Sequence, residues 1–293
     1  MKNSCIVYDS SSGIKNGQYK DVYVLSTRVI EETGGGEISY EDGIDISTET
    51  IEKNLLNGRL YKTAASNLNS AYILFEELEK EYEHIYVFLI HSALSEGQAN
   101  GIALVAENFP SIKIIPQYML ARMAQWECEE LVELNKKNQL NEKSAIEVAN
   151  DYRDNFGCCI IVPDLSCLIK GGRLAKTQDG TSGSDVPALV SLDRNGNKFL
   201  NKSTDVEKIF EIMETYFKTV ITDFSFSKVE KICVLQATHT GKNFNGKIYE
   251  EQFKKTFAER LPTGVIVEKQ SLPGVIIAHI GPDYYAVALK IKK

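Results

Sequence analysis

The stretch Ile85-Tyr86-Val87-Phe88-Leu89-Ile90 is apolar at every position. A strand of this kind has no polar face to offer water. It must be covered on both sides, and the usual solution is a parallel sheet with helices packed on each face. The flanking sequence supports that solution. Tyr72, Phe75 and Leu78 recur at helical spacing and predict a helix over Asn69–Tyr82. A polar loop from His91 to Gly97 follows the apolar run, then a helix to Asn108 and a short strand over Ile112–Ile115. Met119–Asn138 and Glu142–Asn155 carry two further helical patterns. Upstream, Cys5–Tyr8 and Val22–Ile30 read as strands. Ser47 is placed to cap a helix through Ile51, Leu55 and Leu56 that stops at Gly58.

After Gly157 the rhythm changes. Cys158–Val162 is a strand, and Leu165–Leu174 is a short helical segment broken by Gly171 and Gly172. Gln178–Asp185 is a Gly-, Ser-, Asp- and Thr-rich loop. Asp193-Arg194-Asn195-Gly196-Asn197 lies between two apolar runs, which signals a hairpin. A helix over Val206–Phe217, the strand Lys231–Gln236 and a helix near Tyr249–Leu261 come next. Three strands are expected at the end: Gly264–Glu268, Val275–His279 and Tyr285–Ile291. The expected architecture is two α/β domains, 1–157 and 158–293. The first has a mainly parallel sheet flanked by helices, and the second a mixed sheet with helices.

Several function classes are disfavoured by composition. The formal net charge of −7 argues against a phosphate-backbone binder, so no nucleic acid partner is expected. Apolar runs stop short of the roughly 18 residues that a membrane span requires, so stable insertion is not expected. Met1–Tyr8 reads as a strand rather than a signal peptide, and a cytoplasmic location is expected. The cysteines Cys5, Cys128, Cys158, Cys159, Cys167 and Cys233 form no C-x-x-C pair and read as buried reduced thiols. With only four histidines and none paired to these cysteines, no metal site is expected.

Motifs of nucleotide and nucleophile chemistry are incomplete. Gly241-Lys242-Asn243-Phe244-Asn245-Gly246-Lys247 nearly matches a phosphate-binding loop, but Ile248 stands where a magnesium-holding Ser or Thr belongs. Gly34-Gly35-Gly36 lacks dinucleotide-binding spacing and reads as a loop, and no cofactor is expected. A G-x-S-x-G nucleophile elbow is lacking. Three polar segments are more informative: Thr63-Ala64-Ala65-Ser66-Asn67, His91-Ser92-Ala93-Leu94-Ser95, and His279-Ile280-Gly281-Pro282. The first two precede helices and, in a parallel sheet, would lie at the C-terminal strand edge where α/β folds bind ligands. Free N–H groups at helix starts favour an anion there. Each hydroxyl alone also reads as a helix cap, and His279 alone as a structural histidine at a strand end.

Taken in order, Asp9-Ser10, Tyr40-Glu41-Asp42-Gly43-Ile44-Asp45-Ile46-Ser47, the Thr63 segment, the Ser92–Ser95 segment, Leu168-Ile169-Lys170-Gly171-Gly172-Arg173-Leu174 and His279-Ile280-Gly281-Pro282 resemble the motif series of the DegV family over nearly the whole chain. The resemblance implies a carrier that encloses a long-chain fatty acid and holds its carboxylate with Thr63, Ser92 and His279. Ser66, Asn67, His91, Ser95 and Gly281 would be secondary head-group contacts. The implied partner is a dihydroxyacetone-kinase-like fatty acid kinase, which supplies ATP and catalysis, so no catalytic residue is assigned to this chain. Arg173 would act at the mouth of the site or on the partner-docking face; a structural Arg ending the preceding helix is the plainer reading. The sequence departs from the family pattern at Ala64, Ser66, Asn67, His91 and Glu96-Gly97. Two other functions stay open: a binder or sensor of another small amphiphile, and an acyl hydrolase using Ser92 and His279.

Overall fold

The computed structural model describes residues 2–163, 165–172, 186–193, 196–241 and 244–293. The chain forms two compact units that exchange segments. One comprises Met1–Thr48, Leu60–Tyr152 and Pro273–Ile276; the other comprises Glu49–Arg59, Arg153–Leu272 and Ile277–Lys293. Arg173, the loop over 178–185 and the tip of the hairpin at 194–195 lie outside the described residues.

In the first unit, β1 (Lys2–Asp9), β2 (Val22–Leu25), β6 (Tyr82–Phe88) and β7 (Ile112–Ile115) form a parallel sheet in the order β2-β1-β6-β7. The register sets Val7 against Val87 and Val87 against Ile114. Every residue from Ile85 to Ile90 is buried, as the unbroken apolar run requires. One face packs Cys5, Val7, Ile85 and Val87 against Phe75, Leu78, Ile102 and Phe109. These come from or follow α2 (Leu68–Glu81) and α3 (Glu96–Ala106), whose apolar residues recur on one side. On the other face lies α4 (Ala121–Lys136), followed along the chain by α5 (Glu142–Asn155). The Asn135 side chain of α4 donates to the Ser4 carbonyl, and Tyr8 of β1 donates to Glu127 of α4.

The expected strand over Val22–Ile30 is two strands. It breaks at Ser26-Thr27, after which β3 (Arg28–Thr33) joins β4 (Gly36–Glu41) and β5 (Leu60–Ala64) in a separate antiparallel sheet ordered β4-β3-β5. The break has a physical cause. The Thr27 N–H donates to the Ser10 hydroxyl at 3.2 Å, and the Thr27 carbonyl accepts from the Asp42 N–H at 2.9 Å. These bonds from distant segments occupy backbone groups that a continuous strand ladder would use. Gly34-Gly35 link β3 to β4, where the Thr33 hydroxyl donates to the Gly36 carbonyl at 2.7 Å. Gly36 begins β4, so the loop expected over Gly34–Gly36 is reduced to the tip of a hairpin.

In the second unit α1 (Thr48–Leu56) lies, from Glu49 on, with the C-terminal half of the chain. The sheet there is mixed. Its order is β10 (Gly196–Lys202), β9 (Ala188–Asp193), β8 (Phe156–Val162), β13 (Tyr285–Ile291), β11 (Val229–Gln236), β12 (Val267–Gln270), and only β11 and β12 are parallel. Two helices, α7 (Val206–Val220) and α8 (Gly246–Thr256), supply Phe210, Met213, Phe217, Tyr249 and Phe253 to its core. The short α6 (Ser166–Lys170) follows β8. Strand Val275–His279 is not observed: the segment is helix α9 (Gly274–Ile280). A five-residue apolar run has no period that separates strand from helix. Pro273 just before it and Gly281 just after it are the helix-terminal residues that decide the matter. The strand expected over Gly264–Glu268 begins only at Val267. Among the described residues no helix is long and apolar enough to cross a membrane.

Glu127 is fully buried between α4 and the parallel sheet, with the Tyr8 hydroxyl donating to it at 2.9 Å. Burial pushes its pKa up to about 8, despite hydrogen bonds from Tyr8 and Gln117. A carboxyl raised above its unfolded value holds a proton in the folded state that the unfolded chain releases. Stability therefore falls as pH rises between the two values, here from the ordinary carboxylate range to about 8. The loss from pH 5 to 7.5 should be on the order of 3 kcal/mol. Glu127→Gln should remove that part of the pH slope, measured by urea denaturation at several pH values. An unchanged slope would show that Glu127 is not the titrating group.

Candidate functional site

Asp9, the last residue of β1, is 1% exposed. One carboxylate oxygen accepts the Ile90 N–H at 2.7 Å, and the other accepts the Ser11 N–H at 3.1 Å and the Ser11 hydroxyl. Gln98 is a further polar neighbour of the carboxylate. Burial raises the Asp9 pKa, and these donors pull it back down. A buried carboxylate without them would be strongly unfavourable. Gln98, fully buried in α3, carries the network onward. Its carbonyl oxygen accepts the Ser66 N–H at 2.8 Å, and its amide donates to the Ser66 hydroxyl at 2.9 Å. One carboxylate and one carboxamide thus tie together the end of β1, the end of β6 and the loop before α2.

Two of the three polar segments singled out in the sequence hang from this node. Thr63 is half-buried in β5, opposite Val29, so its strand belongs to the antiparallel sheet rather than to the parallel one. Ser66 is buried against Gln98. Asn67 caps α2, its oxygen accepting from the Asn69 and Ser70 amides at 2.9 and 3.4 Å. After β6 the chain turns at His91, whose carbonyl accepts from the Leu94 and Ser95 amides. The His91 ring accepts the Ala93 N–H at 3.2 Å and stacks on Tyr118 with ring centroids 5.2 Å apart. Ser92 is exposed in that turn. Ser95 stands at the start of α3 and makes no capping bond with its side chain. Glu96 is exposed in the first turn of α3, where a negative charge suits the helix dipole.

The third segment is α9. His279 lies half-buried in its last turn, and Gly281 ends the helix at φ +90 with its N–H bonded to the Ile277 carbonyl at 2.9 Å. Only glycine adopts that backbone without strain. Gly171 of the Lys170-Gly171-Gly172 stretch lies directly against the histidine. A Cβ there would stand 2.6 Å from His279 Nδ1 and 3.2 Å from the Cys167 carbonyl. The glycine is thus a clearance for the imidazole, a role that a flexible-turn reading of the pair does not contain.

The family model described as "Uncharacterised protein, DegV family" matches residues 4–292. The chain belongs to the DegV family. A DegV domain-containing protein of Mycoplasma genitalium is 25% identical over 316 residues, covering 99% of each chain. Among solved structures, the chain is similar to DegV, a fatty acid binding protein from Bacillus subtilis, with TM-score 0.77 and 18% identity over 100% of both chains. It is also similar to a stearic acid-binding protein from Eubacterium ventriosum, with TM-score 0.76 and 18% identity over 98% of both. These likenesses establish a shared fold.

Within that DegV frame the residues that sequence reasoning missed are Asp9 as a hub, Gln98 and Asp42. All three are buried polar groups. An acid closing an apolar strand was a signal for Asp9, since an uncompensated buried charge is rarely tolerated. Gln98 gave none, because a Gln in a helix reads as surface. Ser92 also lacks the strained backbone of a nucleophile elbow: among the described residues the non-glycine positive-φ positions are Asp21, Ala121, Asn138 and Asp223.

Two substitutions test these assignments. Asp9→Ala leaves the buried Ile90 and Ser11 amides without their charged acceptor and should cost at least about 2 kcal/mol, read from chemical denaturation. Gly171→Ala should leave the chain folded while displacing the His279 ring. The displacement would be read as a shift of its imidazole proton resonances; an unmoved ring would disprove the clearance role.

Proposed function

We propose that this chain binds a long-chain fatty acid in a buried apolar pocket and presents it to a separate dihydroxyacetone-kinase-like fatty acid kinase. Thr63, Ser92 and His279 hold the carboxylate. The observation that carries the reading is the pair of buried contacts Ile90–Asp9 and Gln98–Ser66, which fasten the chain just ahead of Ser92 and the loop just after β5, the strand of Thr63, in a fold whose solved relatives include fatty acid binding proteins.

The physical logic suits a carrier. Each buried CH₂ contributes roughly 0.8 kcal/mol, so a chain of about sixteen carbons gains on the order of 10 kcal/mol before ordering costs. The tail supplies most of the affinity. The head group then needs only hydrogen-bond donors, which two hydroxyls and an imidazole provide. A site without a fixed cation keeps the carboxylate transferable. His91, Ser95 and Gly281 serve as secondary contacts. Ser66 and Asn67, engaged with Gln98 and the α2 amides, act mainly by holding the loop between α2 and β5, the strand of Thr63. Arg173 is assigned to the mouth or the partner-facing side. Catalysis belongs to the kinase, and Ser92 in its unstrained turn gives no support to a hydrolase.

The test is direct. Purified protein extracted with organic solvent should release a long-chain fatty acid. Thr63→Ala, Ser92→Ala and His279→Ala should each weaken retention by roughly 1.5–3 kcal/mol, the worth of one hydrogen bond to a charged group. Protein that is consistently empty and refuses added fatty acid would overturn the carrier reading. Three variants that retain lipid like the parent would overturn the head-group assignment alone.

A further inference from the structure

The first unit holds a cleft of about 290 Å³ that the proposed carboxylate site does not use. It is lined by the turn after β1, the end of β2, the turn after β4, Thr48 and Pro273-Gly274, all of them parts of that unit. Thr63, Ser92 and His279 do not line it. Ligand pockets run from roughly 300 to 1,000 Å³, so this one suits a small molecule and not a long acyl chain.

Asp42 is the buried acid of this cleft, 4% exposed in the turn after β4. Its N–H donates to the Thr27 carbonyl at 2.9 Å, and its carbonyl accepts from the Ser26 hydroxyl at 3.3 Å. Gly43, at φ +77, completes the turn by returning its N–H to the Ile46 carbonyl at 3.1 Å. The side chain therefore leaves from a rigid frame. Its carboxylate has no dedicated donor. Ser10 is a polar neighbour, but the Ser10 hydroxyl is shared with Thr27 Oγ1 at 2.7 Å and accepts the Thr27 N–H at 3.2 Å. Among the described residues neither an ion pair nor a hydrogen bond of normal length reaches the carboxylate oxygens.

A buried carboxylate without a donor is costly. Burial pushes the Asp42 carboxyl up to about 6, and the nearby Asp9 charge adds to the rise. Two acids close together disfavour an anion at this end of the cleft. A cationic nitrogen with N–H donors offsets the cost through charge-assisted hydrogen bonds. Lys15 lines the same cleft and is exposed. An ammonium there opposes a simple cation but favours a molecule that carries an anionic group as well. Ile14 and Val24 offer an apolar wall to the carbon skeleton that joins the two charges.

We propose that this cleft binds a small zwitterion, with a primary ammonium group on Asp42 and an oxyanion on Lys15. The chemistry is that of a short amino acid or an aminoalkyl phosphate, the latter either free or as a lipid head group. The site is separate from the one assigned to the acyl carboxylate and does not depend on that assignment.

Titration of the whole chain, followed by NMR at the amides of Asp42, Gly43 and Ile44, tests it. 3-Aminopropanoate or O-phosphoethanolamine should bind saturably, about tenfold or more tightly than propylammonium or propanoate. Asp42→Asn should weaken that binding by about tenfold or more, the scale of a lost hydrogen bond to a charged group. Lys15→Met should reduce the zwitterion to the affinity of propylammonium. Vesicles separate the two sources. Asp42-dependent binding to phosphatidylethanolamine vesicles, and not to phosphatidylcholine vesicles whose nitrogen has no N–H, assigns the head group; binding of the free probes alone assigns the free molecule. Retention of hexadecanoic acid should be the same in both variants as in the parent. Three results would overturn the proposal: no binding of either zwitterion or of the vesicles, binding that ignores both substitutions, or a parallel loss of zwitterion and hexadecanoic acid. Thermal melting checks that Asp42→Asn folds. Should it not, the exposed Lys15→Met variant carries the test, and an undiminished preference for the zwitterion overturns the proposal.

Discussion

The Asp9 carboxylate is held out of water at the C-terminal end of β1, where the amide of Ile90, just beyond β6, and the amide and hydroxyl of Ser11 donate to it. Gln98 of α3 is a further polar neighbour. A buried carboxylate stripped of these donors would be unpaired, and that asymmetry makes such a node rigid. The loops that follow β5 and β6 start from it.

Asp42 is a second buried acid at a chain turn. Its N–H donates to the Thr27 carbonyl, and its own carbonyl accepts from the Ser26 hydroxyl. Burial raises the pKa of both acids. At His279 the need is for space rather than charge, and Gly171 supplies it.

Much of the fold was legible from local pattern. The run Ile85–Ile90 demanded a doubly covered parallel strand, and the helices over 68–81, 96–106, 121–136 and 142–155 announced themselves through spacing. Strand β7 and helix α5 have the bounds their sequences suggest. Failures came where local pattern is degenerate. Val275–His279 is too short and too uniformly apolar for either period to show. Val22–Ile30 looks continuous because what breaks it, Ser10 and Asp42 bonding to Thr27, comes from elsewhere in the chain.

For the site the division is sharper. The ordered motif series identified the family and nominated Thr63, Ser92 and His279, because residue types at fixed places survive in the sequence itself. What only the tertiary structure decided is how those residues are held. Asp9 meets Ile90 across 81 positions, and Gln98 meets Ser66 across 32. Such contacts leave no periodicity, and a buried Gln reads like an exposed one. Hydrophobic pattern is a local property of the chain, so it can be read in one dimension; the pairing of a buried polar group depends on which distant segment packing brings beside it.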